Sequence, residues 1–231
     1  MAIRQHKSED EQEVKIRLSQ GDLEKVFNAL AKKYEPAHIS HKYMPRAYYD
    51  TPRLDLYRKN LAVRMQYKEG KNGNLGGYEQ TVKIELPPPG VMAEGALFRR
   101  EAKDVMPNHK PDLSAITDAE AKKAFAPFVK KKLSHIFTAA IERRYFDIKS
   151  GHGKNKSTVE VAFDVGEIIL TKTGQRATFY EIELERKAGN AAAIDALREE
   201  ILKIAPKAEV QPLAKSHQGS QLYQASRRPR R

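Results

Sequence analysis

EQEVKIRL, residues 11 to 18, sets Glu11, Glu13, Lys15 and Arg17 at alternate positions, interleaved with Val14, Ile16 and Leu18. On a helix, Glu11 with Lys15 and Glu13 with Arg17 would be i,i+4 ion pairs worth a few tenths of a kcal/mol each. On a strand, successive side chains point to opposite faces, so the four charges share one face and the three aliphatics the other. The aliphatics decide, because they alternate strictly and only Val14 and Leu18 could share a helical stripe. The stretch is a strand with one wholly charged face.

The pattern recurs along the chain. In LAVRMQY (61 to 67), Leu61, Val63 and Met65 alternate with Arg64 and Gln66, and in QTVKIEL (80 to 86), Val82, Ile84 and Leu86 alternate with Thr81, Lys83 and Glu85. LFRREA (97 to 102) puts Arg99 and Glu101 on one face, and IERRYFDI (141 to 148) does so for Arg143, Tyr145 and Asp147. TVEVAFDVGEI (158 to 168) sets Val159, Val161, Phe163 and Val165 against Glu160, Ala162 and Asp164, and FYEIELER (179 to 186) sets Tyr180, Ile182 and Leu184 against Glu181, Glu183 and Glu185. Turn residues cluster at 68 to 77, 150 to 157 and 172 to 176, so the strands are expected to form an antiparallel sheet or barrel. Three helices are expected: residues 22 to 34 with Asp22 as cap, an amphipathic stretch at 117 to 133 split or kinked by Pro127, and residues 190 to 205. LPPPGV (86 to 91) is short enough for a loop, and one domain, residues 1 to 225, is expected, followed by a basic flexible tail at 226 to 231.

Composition narrows the function classes. Hydrophobic residues make up 40% and charged residues 31%, as in a polar globular chain. No apolar run approaches the ~20 residues of a transmembrane helix, and MAIRQHKSEDEQ has no apolar signal-peptide core, so a cytoplasmic home and no membrane partner are expected. The absence of cysteine excludes disulfides, thiolate metal sites and cysteine nucleophiles. The net charge of +12 suits a polyanionic partner, nucleic acid or polyphosphate, although four arginines of the excess sit in the tail SRRPRR. The assembly state is open, a homodimer included.

Two E-x-E pairs, Glu11/Glu13 and Glu181/Glu183, each hold carboxylates on one strand face with Cα atoms ~6.6 Å apart. Closing the sheet would bring first and last strands together, and a divalent cation would relieve the repulsion of crowded carboxylates. Oxygen-only ligands suit Mg²⁺ or Mn²⁺. The seven histidines are scattered without zinc-ligand spacing. Lys15, Arg64, Lys83, Arg99 and Arg143 stand opposite the acids, which together suits an elongated anion such as a triphosphate. Phosphate-loop, dinucleotide and nucleophile-elbow motifs are absent.

At these residues the sequence resembles the CYTH superfamily of triphosphate tunnel metalloenzymes. Its hallmark E-x-E-x-K is Glu11-Gln12-Glu13-Val14-Lys15, and YYDTPRLDLYRKNLAVR (Tyr48 to Arg64), TVK (81 to 83), Arg99 with Glu101, Arg143, EVAFDVGEI (160 to 168), EIELE (181 to 185) and Lys215 in AKSHQG follow in the family's order. The resemblance implies an α+β fold, an eight-stranded antiparallel closed β-barrel whose charged interior forms a tunnel, with helices packed outside. It implies hydrolysis of inorganic triphosphate or of organic triphosphates, with adenylyl cyclases and thiamine triphosphatases among the relatives. Glu11, Glu13, Glu181 and Glu183 would be metal ligands, Glu101 and Asp164 would support a second metal or the attacking water, and Lys15, Arg64, Lys83, Arg99, Arg143 and Lys215 would hold phosphates. Two positions depart from the pattern, Gln66 in Arg64-Met65-Gln66 and Gln218 before Gly219, and each removes a cation. A polyanion-binding module without turnover is the rival from another class. Carboxylates placed among the cations count against it, since a pure anion binder gains nothing from them.

Overall fold

In the computed structural model, which describes residues 7–69, 75–87, 95–153 and 156–227, the opening stretch lies in strand β1 (Lys7–Arg17). Helix α1 (Gln20–Tyr34) follows, then strands β2 (Ser40–Asp50), β3 (Leu61–Glu69), β4 (Leu75–Glu85) and β5 (Leu97–Met106). Helix α2 (Ala119–Phe125), strands β6 (Ser134–Ser150), β7 (Ser157–Leu170) and β8 (Arg176–Ala188), helix α3 (Ala192–Ile204), the short strand β9 (Glu209–Val210) and helix α4 (Lys215–Ser226) complete the chain. Parts of the turns at 68 to 77 and 150 to 157, part of the 86 to 91 loop, and tail residues 228 to 231 lie outside the described residues.

Strand order β5-β4-β3-β2-β6-β7-β8-β1, with β1 pairing back onto β5, closes the expected eight-stranded antiparallel barrel. β1 makes the closure by stagger: Lys7 to Glu13 pair with β5, and Glu13 to Arg17 pair with β8. The 172 to 176 turn is a tight connection, with Gly174 at φ +69° donating its N–H to the Leu170 carbonyl at 2.9 Å.

Around the middle of the barrel, alternation sends the charges inward and the aliphatics outward. Val14, Ile16, Val161, Phe163, Ile182 and Leu184, all at 0 or 1% exposure, form the outer wall of one side and pack under Leu23, Val26 and Leu30 of α1 and Ile194, Leu197 and Ile201 of α3. On the opposite side Val63, Val82 and Ala102 pack under Leu113, Ile116 and Phe125. Two of the three hydrophobic clusters thus form a jacket around a polar centre. The third, with Phe137, Ile141, Ile168, Leu170 and Phe179, lines the inner face at the end that helix α4 packs across. Burial of these side chains at ~1.5–3 kcal/mol each is what holds the barrel closed.

Several details differ from the sequence reading. Helix α1 begins at Gln20 and is capped by Ser19, whose hydroxyl accepts from the Asp22 N–H at 3.1 Å, so Asp22 sits in the first turn instead. Pro127 does end α2, with a 3₁₀ turn at Ala126–Phe128 and no helix beyond it to 133. Strand β2 carries no apolar alternation and holds Pro45. The proline is tolerated because β2 pairs with β3 only from Arg46 onward, leaving that edge open at 45. Helix α4 was not expected either. Its first turn contacts β1, β4 and β8 through Gln218 and His217, and its body lies on Phe137, so it packs across one end of the barrel. No helix among the described residues is long and apolar enough to cross a membrane.

Candidate functional site

All twelve site residues picked from the sequence fall on the inner face or, for Lys215, reach it from α4. Nine are almost fully buried: Glu13, Lys15, Arg64, Arg99, Glu101, Asp164, Glu181, Glu183 and Lys215. Glu11, Lys83 and Arg143 are half-buried. The strands position them by register, since Lys15 stands opposite Glu183, Glu11 opposite Arg99, Lys83 opposite Glu101, and Asp164 between Arg143 and Glu181.

Three groups of ion pairs result, the first two joined by Lys15 and the third gathered on Glu101. In the first, Glu183 accepts from Lys15 Nζ at 2.5 Å, from Lys215 Nζ at 2.5 Å and from the Arg143 guanidinium. Arg143 also grips Asp164 in a two-pronged pair at 2.6 and 2.7 Å. Lys215 further donates to Asp164 Oδ2 at 2.9 Å and Glu181 Oε2 at 3.0 Å. In the second, Lys15 Nζ lies 2.9 Å from Glu13 Oε1, which Arg99 also contacts. Glu101 meets Lys83 directly, with Lys103 at 3.5 Å and Arg64 at 3.8 Å.

The charges set one another's protonation. Burial pushes the Glu183 carboxyl up, but Arg143, Lys15 and Lys215 together outweigh it and hold Glu183 well below the ordinary carboxylate range. The same contest ends the same way for Glu13 beside Arg99 and Lys15, for Asp164 beside Arg143 and Lys215, and for Glu11 beside Lys83 and Arg99. Burial would lower Lys215, yet Asp164, Glu181 and Glu183 raise it, so its ammonium stays charged. Lys83 goes the other way, as burial and the Arg99 and Arg64 charges depress it well below its usual value.

A depressed carboxyl contributes stability above its unfolded pKa, near 3.8 for Asp and 4.5 for Glu, and loses it as pH falls through the lower folded value. Thermal melts of chelator-treated protein are therefore expected to hold level from pH 7 to about 5 with respect to these four groups and to drop steeply below about pH 4. A melting temperature that rose on acidification through that window would contradict the ion-pair account.

Sequence reasoning missed some of the site. Arg17 has a role at the barrel end, donating to Gln218 Oε1 at 3.2 Å, while Gln218 Nε2 donates to Glu181 at 2.7 Å. Gln218 therefore links a cation to Glu181 through its amide. Tyr48 and Arg46 lie on the inner face of β2, in register with Arg64 and Gln66, and their signal was hidden with that of the strand. Tyr48 stacks on Phe137 with ring centroids 4.6 Å apart.

For a metal, the donors are of the right kind but are capped. Among the described residues no group of three carboxylate or imidazole side chains is arranged to hold an ion as it stands. Oxygens of Asp164, Glu181 and Glu183 do converge, and the Lys215 ammonium occupies the point where they meet. An oxygen-only set that already gathers a cation suits a hard divalent ion.

A CYTH domain family model matches residues 9–219. No curated protein matches the chain in sequence. Solved structures share the fold at low identity. They include a candidate adenylate cyclase from Bacillus halodurans, with 18% identity, TM-score 0.56, and 91% of this chain and 97% of that one covered. HpAC1 from Hippeastrum, a candidate adenylyl cyclase with a dominant triphosphatase activity, has 16% identity, TM-score 0.57, and 94% and 96% covered. PH1819 from Pyrococcus horikoshii OT3 has 15% identity, TM-score 0.50, and 92% and 99% covered.

Proposed function

The chain belongs to the CYTH domain family of triphosphate tunnel enzymes, and on that premise we propose that it hydrolyses inorganic triphosphate to pyrophosphate and phosphate with Mg²⁺ or Mn²⁺. The observation that supports this best is a row of guanidinium and ammonium groups, Arg64, Lys83, Arg99 and Lys15, facing the carboxylates of β1, β7 and β8 inside one closed barrel. Arg64 and Arg99 each keep a buried Nε with no hydrogen-bond partner among the described residues, as does the Thr81 hydroxyl. Donors left unpaired inside a protein are costly, and phosphate oxygens would satisfy them.

In this reading Lys15, Arg64, Lys83, Arg99, Arg143 and Lys215 bind and orient the phosphates. Their charge neutralises what accumulates on the departing pyrophosphate as its bond to the terminal phosphorus breaks. Glu101, nearly fully buried at 2% exposure, or Asp164 would orient the water that attacks that phosphorus. Glu11, Glu13, Glu181 and Glu183, with Asp164, would hold the divalent ion, which when bound supplies Lewis-acid polarisation of the phosphoryl oxygens. Acids and bases in mutual pairs explain why the site tolerates so many buried charges, and an incoming anion and cation would exchange partners with them together.

The test is a panel of inorganic triphosphate, ATP and thiamine triphosphate with Mg²⁺, with Mn²⁺ and with chelator. Phosphate release from inorganic triphosphate is expected to exceed the others at least about tenfold, the scale of one lost polar contact, and to vanish with chelator. Cyclic AMP from ATP, the activity suggested by the names of two structural neighbours, would instead favour an organic substrate. Metal-independent RNA or polyphosphate binding without turnover would replace the enzyme reading altogether.

A further inference from the structure

We propose that Arg46 of β2 is a further substrate-binding residue, a guanidinium kept unpaired inside the barrel for a phosphate oxygen of the triphosphate. The inference rests on the triphosphate reading and adds a residue that the charged motifs do not contain. Alternation puts Arg46 on the inner face with Tyr48, and its cross-strand partners are Gln66 on β3 and Ala139 on β6. Neither carries a charge, and Gln66 donates its amide to Glu79 at 2.8 Å.

Each of the six cations read from the sequence has a carboxylate partner: Glu13 or Glu183 for Lys15, Glu101 for Arg64 and Lys83, Glu13 for Arg99, Asp164 for Arg143 and Lys215. Arg46 does not, for among the described residues no carboxylate lies within ion-pair distance of it. Its Nη2 meets the Met44 Sδ at 3.3 Å, a weak acceptor, and its Nε is buried without a hydrogen-bond partner.

The surroundings make an unpaired guanidinium costly. Burial, and then the like charges of Arg64 and Arg143, push the Arg46 guanidinium down to about 10, so it remains charged at neutral pH. Arg46 is half-buried, with its Nε shut off from solvent. A charge so placed without a counter-ion destabilises a fold, and such a group is understandable where an anion completes it. The unsatisfied side-chain donors Arg46 Nε, Arg64 Nε, Thr81 Oγ1 and Arg99 Nε come from β2, β3, β4 and β5, which are consecutive around the barrel. The carboxylates of β1, β7 and β8, by contrast, are already engaged. The β2 to β5 wall therefore offers the anion unpaired donors in addition to the paired cations of β1, β6 and α4, and on it the guanidinium fork of Arg46 matches phosphate geometry.

The experiment is titration of the 231-residue chain, with Mg²⁺, by imidotriphosphate, whose P–N–P bridges resist hydrolysis, alongside melting of the ligand-free protein. Arg46→Gln is expected to weaken binding about 10- to 100-fold, the value of a charge-assisted hydrogen bond. It is also expected to raise the ligand-free melting temperature, by about 2–4 °C, as the uncompensated charge is removed. A purely structural arginine would give a lower melting temperature. Arg46→Lys, which keeps the charge but loses the fork, should fall between the two in affinity. Equal affinity of wild type, R46K and R46Q would overturn the proposal, and so would a weakened R46Q that also melts lower. If the wild type binds the analogue but hydrolyses no triphosphate, the hydrolase reading fails while the affinity ratio still judges Arg46. If the wild type does not bind the analogue, both fall.

Discussion

Glu183→Gln is expected to lower triphosphate turnover by about 10³-fold, the scale on which an enclosed site loses rate when one preorganised electrostatic group is removed. Glu183 is the carboxylate on which three cations meet, Lys15, Lys215 and Arg143. Glutamine keeps the shape and hydrogen-bonding capacity but not the charge. Lys15 would retain Glu13, and Arg143 and Lys215 would retain Asp164, so the networks would reorganise around a surplus of positive charge. Leaving a buried partner uncompensated costs about 3–5 kcal/mol, and for a chain of this size that is on the order of 10 °C in melting temperature. The rate loss and the stability loss are separable, because Glu183→Asp restores the charge while withdrawing it by one methylene. The aspartate variant should recover much of the melting temperature and little of the rate. Undiminished turnover in Glu183→Gln would remove Glu183 from the site.

How much of this was readable in advance depended on whether a feature is local. The charged face of residues 11 to 18 is a local fact, because strand alternation alone assigns Val14 and Ile16 to one side and Glu13 and Lys15 to the other. Closure of the barrel is not, and was supplied by the ordered motifs. Strand β2 escaped notice because its inward side is Lys42, Met44, Arg46 and Tyr48, mixed in polarity, with Pro45 in its middle. Helix α4, KSHQGSQLYQAS, escaped because it has no apolar stripe. Lys215 anchors it at one end, and Gly219 lets it approach Phe137 so closely that an added Cβ would lie 2.2 Å from the ring. The partners of each charge were also beyond local reading, since Lys15 and Glu183 are 168 residues apart in sequence. The expectation that acids bind metal while cations bind phosphate treats them as separate sets. In the folded protein without ligands they neutralise each other, and Arg46 stands out by lacking such a partner.

Lys215→Met is expected to destabilise the metal-free protein by about 3–5 kcal/mol and to make it unusually responsive to divalent cations. The ammonium of Lys215 is shared by Asp164, Glu181 and Glu183, the first two with no exposed surface. Without it, Asp164 and Glu183 still have Arg143, but among the described residues Glu181 would keep only the Gln218 amide at 2.7 Å. The Lys215 charge helps to hold the Asp164 and Glu183 carboxyls down, so its loss should shift the acid side of the stability profile upward. A divalent ion offers the same relief as the lost ammonium. Stabilisation by a ligand that binds only the folded state follows the ratio of its concentration to its dissociation constant, about 2.7 kcal/mol at a hundredfold excess. In the wild type an incoming ion must first displace Lys215 from its oxygens, which weakens apparent binding; in Lys215→Met it need not. Melting curves with Mn²⁺ and with chelator should therefore differ more for the variant than for the wild type, although turnover falls because a phosphate contact and an anchor of α4 are gone. Equal metal-induced shifts in the two proteins would mean that Asp164, Glu181 and Glu183 do not form the cation site.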